Sequence, residues 1–269
     1  MSGDSGVALM LTVTWPLEVR YMKIIDSHTH LGECQIYGGV VTENDLISRM
    51  DANKVGVSIV QPFPGELKPE RCHDRIAELA RQHPGRFFGM VHMNPHLGRE
   101  VYGREAIRCL RDLKFVALKI HTAGHAVFPN SSIASMVAEV AQDHGVPVMI
   151  HTGSGVPFAL PSLVIPLAKS FPSVTFILAH AGFAIYTIEA QIVAAECPNV
   201  ILETSWCLTP DVAWLVGELG AERVMMGSDL PSNLPVELAK YSSIGISASE
   251  LHECLCGTAS RVFFKGHTP

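Results

Sequence analysis

The sequence predicts an α/β protein, a single-domain (β/α)8 barrel of the TIM type. Three observations predict it. Eight short apolar, β-branched runs recur along the chain, and helix-compatible stretches lie between most of them; such alternation points to parallel strands joined by helical crossovers. The runs are continuously apolar rather than alternating, as in parallel strands covered on both faces. The eight units also fill the chain from 23 to 264, and one such barrel takes roughly 250 residues.

In chain order the strands are expected at Lys23–Asp26, Val55–Gln61, Phe87–His92, Phe115–His121, Val146–His151, Val174–His180, Val200–Thr204 and Arg223–Gly227. The first helix, Thr42–Asn53, opens on a Thr-x-x-Asp cap pattern. Pro69–His83 is charged and amphipathic, Arg99–Leu113 follows, and Ser131–His144 is ended by Gly145. Pro161–Phe171 and Ile185–Cys197 come next. Pro210–Leu219 has Pro at the first helical position and Thr209 as its expected cap. The tail carries a capping box, Ser247 to Glu250, ahead of a helix that reaches about Phe264. Residues 1–21 are expected to be an extension, with the barrel domain over 22–269.

Composition narrows the function. The 269 residues are 48% hydrophobic and 17% charged, which excludes disorder as the dominant state. The net charge is −6, so no basic face for nucleic acid is expected. No apolar run approaches the roughly 18 residues of a membrane helix, and Val7–Trp15 lacks the basic start of a signal peptide. Seven scattered Cys suggest thiols in a reducing compartment. A cytoplasmic location is expected, with no membrane partner; a homo-oligomer is compatible with the sequence.

The unusual count is thirteen His. Barrel active sites lie at the C-terminal strand ends, and several of these histidines fall there. His28 and His30 are two apart, so an extended chain puts them on one side. His151 adds a third nitrogen and Asp229 a carboxylate. Such a set suits one divalent cation, Zn2+ first, with Mn2+ or Fe2+ as alternatives. His180 is expected beside them as an acid/base residue rather than a ligand. Asp229 can both bind metal and accept a proton. Lys119 and His121 end the fourth strand, where each can meet substrate or stay buried. Phe63, Pro64, His92, Asn94, His125, Glu203 and Trp206 are weaker candidates for the site mouth. The bare Gly153-Ser154-Gly155 reads as a tight turn.

These strand ends carry a resemblance. Ile25–His30, Leu118–His121, Ile150–Gly153, Ala179–Gly182 and Gly227–Pro231 resemble the amidohydrolase superfamily, in its amidohydrolase-related, metal-dependent hydrolase branch. Gly257–Phe263 is similar to that branch's closing helix, with Thr258 where Asn is usual. The resemblance spans about residues 22–265. It implies a distorted TIM barrel holding one divalent metal on His28, His30, His151 and Asp229, with His180 catalytic. A strand-four Lys bridges two metals in dinuclear members, but Lys119-x-His121 is more similar to the mononuclear branch.

The expected activity is therefore metal-dependent hydrolysis of a small amide, ester or lactone by metal-bound hydroxide. The alternative is a metal-dependent decarboxylase of an aromatic or enoic acid, which the short strand-to-helix loops disfavour. An alternative of another class is a catalytically silent barrel that binds a ligand or partner.

Overall fold

The computed structural model describes residues 22–36 and 38–267. The expected extension, residues 1–21, lies outside the described residues. One nine-stranded sheet organises the chain, in the order β2-β1-β3-β4-β5-β6-β7-β8-β9. These strands are β1 (Ile24–Glu33), β2 (Val40–Val41), β3 (Val55–Pro62), β4 (Phe87–Val91), β5 (Ala117–Ile120), β6 (Val148–His151), β7 (Phe176–Ala179), β8 (Val200–Glu203) and β9 (Val224–Met225). Only β2 is antiparallel to its neighbour; every other pairing is parallel. The sheet curls. At its two ends the Ser27 N–H donates to the Met226 carbonyl at 3.1 Å and the Asp229 N–H to the His28 carbonyl at 2.7 Å. Thr29 and Asp229 form a parallel bridge there.

Helices cover the sheet where capping chemistry predicts them. In α1 (Glu43–Asn53), Thr42 and Asp45 form a reciprocal capping box. Next come α2 (Pro69–Gln82) and α3 (Gly98–Arg111). After α4 (Thr122–His125), α5 (Ser132–His144) starts at the Ser131 cap and stops at Gly145 in the left-handed conformation. The helices α6 (Ile165–Ser170), α7 (Thr187–Glu196), α8 (Thr209–Leu219), α9 (Leu234–Ser243), α10 (Ala248–His252) and α11 (Thr258–Phe264) complete the set. Two expectations need correction. Thr209 is the first helical residue of α8 and its side chain caps nothing; Leu208 precedes it as the N-cap. The tail is not one continuous α-helix, because Glu253–Gly257 forms a π-turn between α10 and α11.

Period two along each strand sorts the apolar residues into two cores. Ile24, Val148, Ile150, Phe176 and Leu178 pack outward with the helices. Ile25, Val57, Ile59, Met90, Ala117, Met149, Ile177, Ile201 and Met225 pack together on the other face, with Ala259 and Phe263 of α11. Two residues further on, the same inner columns reach Gln61, His92, Lys119, His151 and Glu203, all buried. An apolar floor thus carries a polar layer at the C-terminal strand ends.

Candidate metal centre

In β1 a bulge sets the phase of the site. Asp26 pairs with Ser58 and Thr29 with Val60, so β1 spends one extra residue between them. Without that residue His28 and His30 would point away from the Ile25 side. Asp26 fixes the bulge. Its carboxyl accepts from the His28 N–H at 3.3 Å, the Ser228 N–H at 2.8 Å and the Ser228 hydroxyl at 2.6 Å. Burial pushes this carboxyl up to about 7, against those hydrogen bonds. Gly227 is required beside it, because a Cβ would stand 2.6 Å from Glu203 Oε1 and 2.8 Å from His28 Cβ.

His28, His30 and Asp229 converge. Asp229 Oδ1 lies 3.3 Å from His28 Nε2 and 3.3 Å from His30 Nε2. One ligand atom from each of the three lies within 4.8 Å of the others. The far nitrogens are committed. His28 Nδ1–H donates to Glu203 Oε2 at 2.8 Å, and His30 Nδ1–H to the Pro62 carbonyl at 2.9 Å. Both Nε2 atoms are therefore left as lone pairs on the Asp229 side, as second contacts orient metal-binding imidazoles; there Lys119 Nζ stands 3.1 Å from that of His28 and the Gln61 amide nitrogen 3.3 Å from that of His30. Burial lowers His28 well below the usual imidazole range, so it is neutral. Asp229 faces both imidazoles through Oδ1. Trp206 Nε1–H donates to its other oxygen, Oδ2, at 2.8 Å. Two imidazole lone pairs and one carboxylate fit a divalent cation such as Zn2+ or Mn2+.

His151 stands beside this triad rather than within it. Its Nε2 is 3.2 Å from the Ser154 hydroxyl, its Nδ1 is buried without a partner, and its ring stacks on His121 at 4.1 Å. His180 closes another side, its ring centroid 5.1 Å from that of His28 and 4.8 Å from that of His151. The Ser205 hydroxyl donates to Glu203 Oε2 at 3.0 Å, so it accepts from His180 Nδ1–H at 2.8 Å. That leaves Nε2 as the free lone pair of His180. Burial lowers this imidazole to about 4, with Asp229 opposing. His180, Trp206 and Asp229 all adopt positive φ, at 67°, 66° and 62°. Non-glycine residues there are strained, and such strain gathers at functional sites.

The remaining candidates divide. A cavity of about 580 Å³ is lined by His30, His121, His151, His180 and Asp229, and by Phe63, Pro64, Phe183 and Trp206. Phe63 stacks on His30 at 4.5 Å. His121 Nδ1 accepts from the Gly124 N–H at 2.9 Å, so its Nε2 carries the proton. Five of the candidates, Glu203, Lys119, His92, His125 and Asn94, are not among the residues that line this cavity. Glu203 is fully buried and accepts from the His28 ring, the His180 N–H, and the N–H and hydroxyl of Ser205. Lys119 is also buried, its Nζ 3.1 Å from His28 Nε2, and burial draws its ammonium down to about 8. His92 is buried and donates from Nδ1 to the Pro62 carbonyl at 2.7 Å. His125 packs its ring on His92 at 5.2 Å, and Asn94 caps a short turn by accepting from the His96 N–H at 3.0 Å. Sequence reasoning missed Ser205, the Pro62 carbonyl, Phe183 and Arg49. Ser205 alone had a signal, two residues beyond Glu203 on the same face.

The Amidohydrolase family model matches residues 25–265. No curated protein matches the chain. Among solved structures, a putative amidohydrolase from Staphylococcus aureus shares 16% identity at a TM-score of 0.72, covering 90% of this chain and 99% of its own. A 5-carboxyvanillate decarboxylase from Novosphingobium aromaticivorans, complexed with manganese and 4-hydroxy-3-methoxy-5-nitrobenzoic acid, shares 15% at 0.74, covering 91% and 96%. A 4-oxalomesaconate hydratase from Rhodopseudomonas palustris shares 15% at 0.66, covering 89% and 95%. At these identities the likeness is one of fold. The match along nearly all of the described chain settles the kinship: the chain belongs to the amidohydrolase family.

Proposed function

We propose that this chain is a metal-dependent decarboxylase of a small aromatic or enoic acid, built on a closed eight-stranded barrel. The observation that carries this reading is the wall around His30 and Asp229. Phe63, Phe183 and Trp206 present aromatic faces, and Arg49 is the one Lys or Arg among the described lining residues. A planar acid suits such a cavity better than a hydrated amide does. The fold neighbours support it, since they include a decarboxylase with manganese and a substituted benzoic acid. That alignment spans 96% of the decarboxylase chain, so short loops no longer weigh toward hydrolysis.

His28, His30 and Asp229 would hold the cation, with His151 as the fourth candidate. When bound, the cation supplies positive charge that polarises a substrate oxygen. The chain does the rest. The aromatic walls exclude water and hold the ring flat. His121 Nε2–H is a donor for a substrate oxygen. Decarboxylation breaks a carbon–carbon bond and places a proton on the carbon that loses CO2. His180 is anchored through Nδ1 with its Nε2 lone pair free, and is the residue positioned to take up a proton from solvent and pass it to that carbon as CO2 leaves. The net charge of −6 fits a small-molecule substrate rather than nucleic acid, and seven buried thiols fit the cytoplasm.

The test is manganese-loaded protein offered aromatic and enoic acids, lactones, esters and amides in H2(18O). CO2 release without 18O in the product is expected from an acid. Incorporation of 18O into a cleaved lactone, ester or amide, with no CO2 from any acid, would restore hydrolysis. His28→Ala and Asp229→Ala are each expected to abolish both stoichiometric metal and turnover.

A further inference from the structure

Outside the cavity, His73, Glu105 and Cys109 form a second buried cluster whose ligand atoms lie within 4.8 Å of one another. Its hydrogen bonds argue against a cation there. Glu105 already receives Arg108 through two bonds of 2.8 Å, and the Cys109 thiol at 3.2 Å. Both nitrogens of His73 are committed. The backbone N–H of His92 can only donate, and it meets His73 Nε2 at 3.2 Å. The proton of His73 therefore sits on Nδ1, which donates to Glu105 Oε1 at 2.8 Å.

The line continues inward. A carbonyl oxygen can only accept, so His92 Nδ1 carries the proton that meets the Pro62 carbonyl at 2.7 Å. The same carbonyl accepts from His30 Nδ1–H at 2.9 Å. Obligate backbone donors and acceptors thus dictate three tautomers in series. The series runs from α3 through α2 and the end of β4 to His30.

We propose that His73 and Glu105 are positioning residues for the metal centre. They hold the residue after β4, and with it the carbonyl shared by His92 and His30, so that the His30 Nε2 lone pair stays turned to Asp229. This rests on the reading of His30 as a metal ligand. The residues that hold metal-bound imidazoles commonly alter affinity about 10–100-fold. From one contact further out, about tenfold is expected.

Two measurements test it. Long-range 1H–15N spectra of histidine side chains in the wild-type protein should show Nδ1–H at His73, His92 and His30. An Nε2–H form at His73 or His92 would overturn the proposal without any variant. His73→Phe keeps an aromatic ring but offers no acceptor to His92. It should weaken manganese binding about tenfold and shift the visible bands of cobalt-loaded protein, and His73→Gln, whose amide oxygen reaches about the position of the lost Nε2, should recover both. Folded His73→Phe with wild-type affinity and spectrum would overturn the relay alone. Wild-type protein that binds no cation, yet shows the stated tautomers, would instead overturn the reading of the centre.

Discussion

Glu203 shows how much of this centre is carried by a side chain that is not among those lining the site cavity. Its two oxygens take His28 Nδ1–H, the N–H groups of His180 and Ser205, and the Ser205 hydroxyl. Glu203→Gln would turn an NH2 group toward one or more of those donors. A buried donor left unmatched costs about 1–3 kcal/mol, so the urea midpoint should fall accordingly. Manganese affinity should fall about 10–100-fold. Unchanged affinity in titration of the folded variant would show that His28 does not need this partner. Trp206→Phe removes the N–H bound to Asp229 Oδ2 while keeping an aromatic wall. Its expected signature is weaker metal binding with little loss of stability, because Trp206 is 37% exposed. The residue types of the centre were legible at the strand ends. Their second contacts were not, because His28 and Glu203 stand 175 residues apart in the chain. No local spacing reports which strands become neighbours. The same holds for Lys119 and His92, whose place on the inner face was readable while their depth was not.

Elements were legible where their ends carry their own chemistry. The Thr42–Asp45 and Ser247–Glu250 boxes and the Gly145 stop lie where the sequence puts them, while Ser131, read as the first residue of its helix, is the cap before it. The helices α4 and α9 were not foreseen. In α4 the cap is the His121 side chain, which reads as a site residue, and α9 opens on Leu234-Pro235 behind a non-helical Pro231. The bulge in β1 was also invisible, since it needs the pairing with β3 to define it. One inter-element tie makes a pH prediction. Glu105 of α3 is raised by burial, but bonds from His73, Arg108 and Cys109 outweigh this and hold it at about 2. A carboxyl depressed on folding stabilises above its unfolded value, 4.5, and loses that contribution as pH falls toward 2. The shift corresponds to about 3 kcal/mol. Glu105→Gln should therefore be less stable than wild type near neutrality, and the gap should close between pH 4.5 and 2. A gap that stays constant across urea titrations in that window would show that Glu105 acts through packing rather than charge.

On the scale of the whole molecule, the proposed cation would join the two ends of the parallel series. His28 and His30 belong to β1, whereas Asp229 follows β9, and the backbone joins them there through the Thr29–Asp229 bridge and the bonds around it. A ligand that binds only the folded chain stabilises it by about 2.7 kcal/mol at one hundred times its dissociation constant. For a domain of this size each kcal/mol moves the melting temperature by about 2–4 °C. Manganese at that excess should therefore raise the melting temperature of chelator-treated protein by about 5–10 °C. The gain should be local in origin. Hydrogen exchange should slow most at the amides of Ser27, Ser228 and Asp229, which make the bonds between the two ends, and much less in α3 or α5. Asp229→Asn should abolish the metal-dependent rise while retaining the Trp206 contact. A full rise in Asp229→Asn would place the cation elsewhere in the molecule. Protection spread evenly over every helix would show that the cation stabilises the fold without tying its two ends together.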